Sequence, residues 1–293
     1  MCASLLSRFT VAAVGLGSKA FLKLGCASVT VEGLPILLDA LRDPHRTDRG
    51  ILTVANHISV MDDPTTWGAL PASYYLSSRT TRWTLGAADI MFTNPITSSF
   101  FRYGQVIKTF RGQGIWQDAL NVAIDKIDSG EWIHVFPEGK VNQTLSNQAQ
   151  LLRFKWGIGR LLMDAQQTPL IIPMWLTGRS CGSGVPSTAL TKVTPPGFDQ
   201  ALPEDRGFPR FLPRLRKNIS ITFGDPFSAT NQVEATLAKW RDLVPQKLRE
   251  TRDGEQQTAM RVKLTRLVQE EVEKLGYSVI SQMSRPSIGK HVQ

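Results

Sequence analysis

ILTVANHISVMDDPTTWG, residues 51–68, places an unbroken apolar run directly before a histidine, two aspartates and a proline. A run of this kind is typical of a parallel strand that is buried on both faces. Open α/β sheets place their functional sites at the carboxyl ends of such strands. Asp63 followed by Pro64 predicts an N-cap and the first residue of a helix, so a helix is expected to begin at about Pro64. The stretch therefore predicts a strand, a tight polar loop and a helix.

On both sides of this stretch, short apolar runs alternate with longer helical patterns. Further strands are predicted at ASVTVEG, QVIKTF, WIHVF, LIIPMWL and ISITFG. Apolar residues recur at helical spacing from Ile115 to Ile127, between QVIKTF and WIHVF, which predicts a β-α-β unit. Residues 148–165 predict another helix that leads into LIIPMWL. The expected fold class is α/β, with a mixed, partly parallel central sheet flanked by helices.

The chain of 293 residues is expected to divide into three regions. Residues 1–25 are apolar, with sparse Arg and Lys and no acid, and this favours a segment lying in a membrane interface. A cleaved secretory signal, a mitochondrial presequence and an ordinary packed first helix are the alternatives. Because no unbroken apolar run reaches about 18 residues, no membrane-spanning helix is predicted.

Residues 26–230 are the predicted main domain, and residues 231–293 are predicted to form C-terminal helices that pack on it. The Gly-, Pro- and Arg-rich stretch 178–218 predicts a long surface excursion within the main domain. A second basic and apolar stretch, LLRFKWGIGRLLM at 151–163, fits either lipid contact or a core helix, and the sequence leaves both open.

The charge balance points to an anionic partner. The chain has 34 Lys and Arg against 25 Asp and Glu, for a net charge of +9, which favours nucleic acid, anionic lipid or a phosphorylated substrate. No RNA-binding or helix-turn-helix signature is present, so nucleic acid is not an expected partner. Cys2, Cys26 and Cys181 are odd in number and far apart, which predicts neither a disulfide framework nor a metal site.

The loop after ILTVAN carries a candidate catalytic pair. His57 and Asp62 bracket the loop, which can bring the carboxylate back to the imidazole, fix its tautomer and stabilise the imidazolium. Asp62 is the predicted orienter and Asp63 the cap. A base with an orienter but without a protein nucleophile predicts that the deprotonated hydroxyl belongs to the substrate, as in acyl transfer to an alcohol. A hydrogen-bonded polar loop is the alternative for this pair taken alone.

Two other strand ends carry candidate binding residues. In HVFPEGKVN, residues 134–142, Glu138 fits either a substrate hydroxyl or an anchor for the neighbouring loop, while Lys140 and the backbone of the turn could face phosphate. In GQVIKTFRG, Arg111 follows a strand and is suited to grip phosphate. A plain β-turn and a surface arginine are the alternatives. The predicted substrate-binding residues are Asn56, Arg111, Glu138, Gly139 and Lys140.

Four motifs occur in a fixed order: NHxxxxD, then G…R, then FPEG, then an apolar strand with the internal Pro173. This order resembles the glycerolipid acyltransferase superfamily. The resemblance implies that His57 is the general base, that Asp62 orients it, that Arg111 grips phosphate and that the FPEG segment shapes the acyl-acceptor site.

Within that superfamily, NHISVMDDPTTWG, FRGQGIWQ, FPEGKVN and LLRFKWGIGRLL are similar to the phospholipid–lysophospholipid transacylases, over about residues 33–228. Many coenzyme A-dependent members read FPEGT-R-S where this chain has Lys140-Val141-Asn142. The resemblance implies cardiolipin remodelling without coenzyme A or another cofactor, with phosphatidylcholine, cardiolipin and monolysocardiolipin as substrates. It also implies a peripheral or monotopic protein on an anionic membrane surface, on the intermembrane-space side of mitochondrial membranes. The oligomeric state is not predicted.

Three rival functions are considered. An acyl-coenzyme A-dependent lysophospholipid acyltransferase with the same base is the nearest. GRSCG, residues 178–182, satisfies the G-x-S-x-G pattern of serine hydrolases with Ser180, but the pattern needs a following helix and a later histidine, and only His291 is available. A basic membrane-binding module without catalysis is the third.

Overall fold

The computed structural model describes residues 5–44, 46–142, 150–180, 217–246 and 251–284. In this part of the chain, one sheet has seven strands: β1 (Ser28–Glu32), β2 (Ile51–Ala55), β3 (Trp83–Ala87), β4 (Val106–Thr109), β5 (Trp132–Val135), β6 (Leu170–Ser180) and β7 (Lys217–Phe223). Their spatial order is β1-β7-β6-β2-β5-β3-β4. Neighbours run parallel except β6 and β7, which are antiparallel. This mixed, mostly parallel sheet confirms the predicted fold class.

Helices flank the sheet on both faces. Their bounds are α1 (Leu5–Ala20), continued by a π-helical turn at Phe21–Gly25, α2 (Leu34–Arg42), α3 (Asp62–Trp67), α4 (Ala88–Met91), α5 (Pro95–Tyr103), α6 (Asp118–Asp128), α7 (Gly157–Asp164), α8 (Pro226–Leu243) and α9 (Glu255–Ser284). Short 3₁₀ turns lie at Ala72–Leu76 and Ser78–Thr80.

The central strand β2 is buried along its whole length, as its unbroken apolar sequence requires. Leu52 and Val54 face a core formed with α6, α7, α8 and α9. Ile51 and Ala55 face a second core formed with α2, α3 and the turn at Ala72–Leu76. Because successive side chains of a strand point to opposite faces, β2 joins the two cores. The sheet thereby fixes the position of the loop that follows β2.

The six strands predicted from the sequence are all found, but β3 was missed. Its sequence, WTLGA, is short, alternates half-buried with buried residues and contains a glycine. A Cβ at Gly86 would collide with the side chain of Val106 in β4. Glycine is therefore required here by the close approach of the two strands, although its presence weakens the strand pattern in the sequence.

The helix predicted over 148–165 is wrong in its first half. Among the described residues, helix α7 begins only at Gly157, and residues 151–155 are not helical. The backbone N–H of Leu152 donates to Glu138 Oε2, and that of Lys155 donates to the carbonyl of Pro137. These backbone N–H groups therefore bond to residues distant in the sequence instead of to the carbonyls of a helix.

The stretch 151–163 packs as core rather than as a lipid-contacting surface. Its large apolar side chains are buried against the α6 side of the sheet; they are Leu151, Phe154, Ile158, Leu161 and Leu162. Trp156 remains partly exposed, with the Arg153 guanidinium over its ring at 5.3 Å. Of the two alternatives left open by the sequence, the core position describes most of this stretch.

The N-terminal helix has one face on the protein and one face open. Its Val11 and Gly15 are buried, whereas Leu5 and Phe9 are exposed. Lys19 Nζ donates to the carbonyls of Gly68 and Leu70, just after α3, at 3.2 and 2.8 Å. By length and composition alone, the continuous helical segment Leu5–Gly25 could cross a membrane, with a mean hydropathy of 1.3. The sequence had predicted no spanning helix.

Candidate active site

His57 follows the last buried residues of β2 and lies beside a buried carboxylate. Its Nδ1 is 2.9 Å from Asp62 Oδ2, and 20% of its side chain is exposed, whereas the Asp62 side chain is fully buried. Because the carboxylate accepts the Nδ1 proton, Nε2 is the acceptor nitrogen of the neutral ring. Among the residues that the structure describes, the His57 ring hydrogen-bonds to Asp62 alone, and no described serine or cysteine bonds to it.

The loop folds around the Asp62 carboxylate. Oδ2 also accepts the backbone N–H groups of Ile58 and Ser59, at 2.7 and 2.9 Å. Burial raises the pKa of Asp62, while the hydrogen bonds from His57 and from these backbone groups oppose that shift. The Asp62 N–H donates to the Ser59 carbonyl at 3.0 Å, so the chain already turns there. Helix α3 consequently begins at Asp62, two residues before Pro64.

Asp63 does not act as the predicted N-cap. Its carboxylate accepts Trp67 Nε1–H at 3.0 Å and Arg82 Nε–H at 3.0 Å, and it forms an ion pair with Arg82. Burial acts to raise the pKa of Asp63, but the charge and hydrogen bonds of Arg82 outweigh it and lower the pKa. The two neighbouring aspartates therefore have different functions: Asp62 faces His57, and Asp63 ties α3 to the start of β3.

Glu138 joins three segments at the end of β5. Its Oε1 accepts the backbone N–H of His57 at 2.8 Å, and Oε2 accepts Asn142 Nδ2–H and the Leu152 N–H at 2.8 and 2.9 Å. The side chain is buried, and this burial raises its pKa against the opposing effect of the N–H donors. Of the two sequence alternatives, this geometry fits the anchor of a neighbouring loop rather than contact with a substrate hydroxyl.

The segment 138–142 holds His57 by both of its backbone polar groups. Glu138 accepts the N–H, and the Asn142 N–H donates to the His57 carbonyl at 2.6 Å. Gly139 occupies the left-handed region at φ 71°, which lets the chain turn sharply between these two contacts. The turn therefore determines where the imidazole lies.

The sequence did not single out two aromatic rings near the imidazole: Phe136 contacts His57, and His134 contacts Phe136. The Phe136 ring stacks on His57, with centroids 4.4 Å apart and planes 22° apart, and His134 meets Phe136 edge-on at 4.4 Å. His134 Nδ1 is 2.8 Å from Thr53 Oγ1. Burial lowers the pKa of His134 to about 3, so this ring is neutral at physiological pH. The spacing of two residues in HVF, which puts both rings on one face of the strand, is the signal that could have identified them.

The remaining predicted binding residues divide into buried and exposed groups. Asn56 is buried, and its side chain pairs with both backbone groups of Leu176, at 3.0 and 2.7 Å, so it fastens β2 to β6. Lys140 is exposed. Arg111 is exposed and lies 3.6 Å from Asp89. These side chains follow the ends of parallel strands and share one edge of the sheet, where Lys140 and Arg111 remain open to a ligand.

The described part of the G-x-S-x-G motif, Gly178 to Ser180, lies in a strand. The backbone of Gly178, Arg179 and Ser180 continues β6 in antiparallel register with β7, opposite Ile219, Asn218 and Lys217. A hydrolase nucleophile lies on a sharp turn between a strand and a helix, whereas Ser180, the last described residue before the gap, is still paired with Lys217 of β7. The residues that follow, together with most of the predicted excursion at 178–218, are outside the described residues.

Comparison with known proteins identifies relatives. Residues 39–177 match the Acyltransferase family. The chain is 40% identical over 177 residues to "Taffazin" of Dictyostelium discoideum, covering 59% of this chain and 60% of that protein. It is 41% identical over 174 residues to "Tafazzin" of Drosophila melanogaster, covering 59% and 44%. The chain thus spans less than two thirds of either relative. These similarities confirm the resemblance to acyltransferases that the motifs predicted, and both relatives carry the name tafazzin.

A solved structure shares the fold. The 1-acyl-sn-glycerophosphate (LPA) acyltransferase PlsC from Thermotoga maritima superposes with a TM-score of 0.52 at 17% identity, covering 96% of this chain and 81% of that one.

Proposed function

This chain belongs to the glycerolipid acyltransferase superfamily, and we propose that it moves an acyl chain from a phospholipid to a lysophospholipid, with His57 as the general base. The observation that carries the proposal is the pairing of a partly exposed imidazole with a fully buried carboxylate, 2.9 Å apart, at the carboxyl edge of the sheet. This is the arrangement of a base and its orienter. The hydroxyl to be deprotonated is then the substrate's own.

The proposed reaction has two proton transfers. The hydroxyl of the lysophospholipid gives its proton to His57 Nε2 while its oxygen attacks the ester carbonyl of a second phospholipid. Asp62 stabilises the imidazolium that forms. The tetrahedral intermediate then breaks its bond to the donor's glycerol oxygen, which takes the proton back from His57 and leaves as a lysophospholipid. General base catalysis supplies about 10²- to 10⁴-fold of the rate, and positioning must supply much of the rest.

Arg111 and Lys140 are the proposed contacts for substrate phosphate. Both are exposed at the same edge of the sheet as His57. The pair that Arg111 forms with Asp89 is long, at 3.6 Å, and both side chains are at least half exposed. Exposed pairs of this kind are worth only about 0–1 kcal/mol, so a lipid phosphate can replace the carboxylate at small cost. Two such cations suit cardiolipin and monolysocardiolipin, each of which carries two phosphates.

The proposed location is the intermembrane-space side of mitochondrial membranes, supported by the tafazzin similarity and by the net charge of +9. We assign residues 1–25 to the membrane interface, 26–230 to the acyltransferase domain and 231–293 to the C-terminal helices. The open apolar face of α1 supports the first assignment.

The test mixes the purified protein with monolysocardiolipin and radiolabelled diacyl phosphatidylcholine, with and without unlabelled acyl-coenzyme A. We expect label to enter cardiolipin without the thioester. If labelled phosphatidylcholine donates nothing and only labelled acyl-coenzyme A does, the coenzyme A-dependent alternative is correct. The variant His57→Gln should lose transfer, whereas the control Ser180→Ala should keep it. Full transfer by the His57 variant would contradict the base assignment.

A further inference from the structure

The active-site edge of the sheet carries exposed apolar side chains that the catalytic geometry does not use. Helix α4 starts directly after β3, and Phe110 directly follows β4. Since β3 and β4 run parallel to β5 and β2, these segments emerge at the same edge as His57. On α5, which links them, Ile96 is 82% exposed and Phe100 is 48% exposed. Ile90 and Phe110 are exposed beside them.

Helix α5 is held firmly although none of its residues is buried. At its start, Asn94 Oδ1 accepts the N–H groups of Ile96 and Thr97, both at 3.0 Å, in a capping box. At its end, the buried Gln105 takes a positive φ of 62° and its side chain accepts Thr81 Oγ1–H at 2.7 Å. Fixed ends of this kind show that the apolar side chains are presented by a rigid helix rather than by a frayed one.

The C-terminal end of α5 is tied to α1. Ser7 Oγ donates to the carbonyl of Tyr103, the last residue of α5, at 2.8 Å. The two helices pack against each other, and Leu5 and Phe9 of α1 are exposed. This contact lies at the end of α5 that leads into the start of β4, at the opposite edge of the sheet from His57. Large exposed apolar side chains gathered at one edge, as Ile90, Ile96 and Phe110 are, mark a site of interaction with a protein or a membrane.

The charge of this surface selects a lipid partner over a second copy of the chain. Residues 5–31 contain no acid, and residues 88–117 contain one, Asp89, which is paired with Arg111. The exposed Lys108, whose Nζ lies 5.1 Å from the centre of the Phe110 ring, adds positive charge. Two copies of such a surface would repel each other, whereas anionic headgroups would neutralise it while the acyl region accepts the apolar side chains.

We propose that α5 seats the active-site edge on an anionic phospholipid bilayer, with Ile96 and Phe100 entering the interface and Lys108 meeting the headgroups. This inference rests on the proposed function, because an enzyme that acts on two phospholipids needs its active site to face the membrane that contains them. Both substrates can then reach His57 without leaving the bilayer for water.

The test measures binding of the full chain to vesicles of phosphatidylcholine with and without cardiolipin. Ile96→Glu and Phe100→Glu should each weaken binding about tenfold or more, because each removes an apolar side chain from the interface and adds a like charge to that of the lipid. The matched control is Leu243→Glu at the end of α8, where the leucine is 81% exposed. It should bind as the wild type does.

Several outcomes overturn the proposal. Unchanged binding by both α5 variants, or equal weakening by Leu243→Glu, would do so. Loss of self-association without loss of vesicle affinity would identify α5 as a contact between copies of the chain. The milder Ile96→Ser and Phe100→Ser serve if a glutamate variant does not fold, as judged by thermal unfolding.

Failure of this inference can be distinguished from failure of the proposed function, because vesicle binding does not require acyl transfer. With substrates dispersed in detergent micelles, the α5 variants should transfer acyl chains at the wild-type rate. A protein whose vesicle binding depends on Ile96 but which transfers no acyl chain would refute the proposed function alone.

Discussion

Replacing Asp62 by asparagine separates the charge of the carboxylate from its hydrogen bonds. Oδ2 of Asp62 accepts three N–H groups, from the His57 ring and from the backbones of Ile58 and Ser59. An asparagine oxygen in that place can accept the same three donors, so the loop and the tautomer of His57 should persist. Burial raises the pKa of Asp62, so removal of the charge also relieves a desolvation cost. We therefore expect a folded protein with a poor base.

The expected loss follows from the missing attraction between carboxylate and imidazolium. With Nδ1 and Oδ2 2.9 Å apart, the delocalised charges are centred farther apart. Two unit charges about 4 Å apart at an effective dielectric constant of about 20 attract by about 4 kcal/mol. This would correspond to roughly 10³-fold in rate. Because 20% of the His57 side chain is exposed, solvent screens part of it. We expect kcat/KM to fall by about 10²- to 10³-fold.

The assay is label transfer from diacyl phosphatidylcholine to monolysocardiolipin, with thermal unfolding measured on the same samples. Asp63→Asn is the matched control, since it removes the adjacent carboxylate, which pairs with Arg82 rather than with His57. It should lower the free energy of unfolding by about 1–3 kcal/mol while the folded enzyme keeps its activity. The reasoning is refuted if Asp62→Asn stays folded with full activity, or if both variants lose activity to the same extent.

Three further predictions concern the surroundings of this pair. Phe136→Leu should lower kcat about tenfold with little change in KM, because His57 loses the ring on which it stacks. The variant Phe136→Tyr keeps a ring there and should have the wild-type kcat. A KM of Phe136→Leu that differs from that of the wild type would contradict a positioning effect. Glu138→Gln should cost about 1–3 kcal/mol of stability in chemical denaturation, since an amide NH₂ must then oppose N–H donors, and unchanged stability would exclude Glu138 as an anchor. Burial lowers the pKa of His134 to about 3 in the folded chain. When the pH falls below the ordinary pKa of histidine, the unfolded chain is therefore protonated at His134 while the folded chain is not. Stability should fall by about 2 kcal/mol from pH 7 to pH 5 for this group, and the decrease should be smaller by that amount in a stably folded His134→Gln; equal slopes in the two proteins would contradict this.

The sequence predicted those parts of the fold in which the residues of one segment alone determine its structure. The apolar run of β2 and the loop that follows it were readable because a strand buried on both faces needs no polar alternation. Strand β3 could not be predicted from the sequence, because glycine has a low strand propensity. Gly86 is needed there only because the Val106 side chain of β4 lies so close to it. The non-helical residues before α7 were missed for a similar reason, since their N–H groups bond to Glu138 and Pro137.

The same limit applies to the candidate site. The sequence supplied His57, Asp62 and the segment around Glu138, because each follows a strand end in one short motif. It could not show that Asn56 bonds to Leu176, because that contact depends on the pairing of β2 with β6. Nor could it show that Phe136 lies under His57, since stacking depends on the register between β2 and β5. Motifs identified the residues, and the sheet determined what they contact.

The grip of the segment 138–142 on both backbone groups of His57 has a consequence for protein engineering. A transplant of the FPEGT-R-S loop from a coenzyme A-dependent relative would replace Asn142, whose side chain bonds to Glu138 and whose backbone bonds to His57. Such a chimaera would disturb the position of His57, the proposed base, along with the surface offered to the substrate. Acyl-donor preference and catalytic competence are therefore expected to change together in loop exchanges, unless the β2 loop is transplanted with its partner.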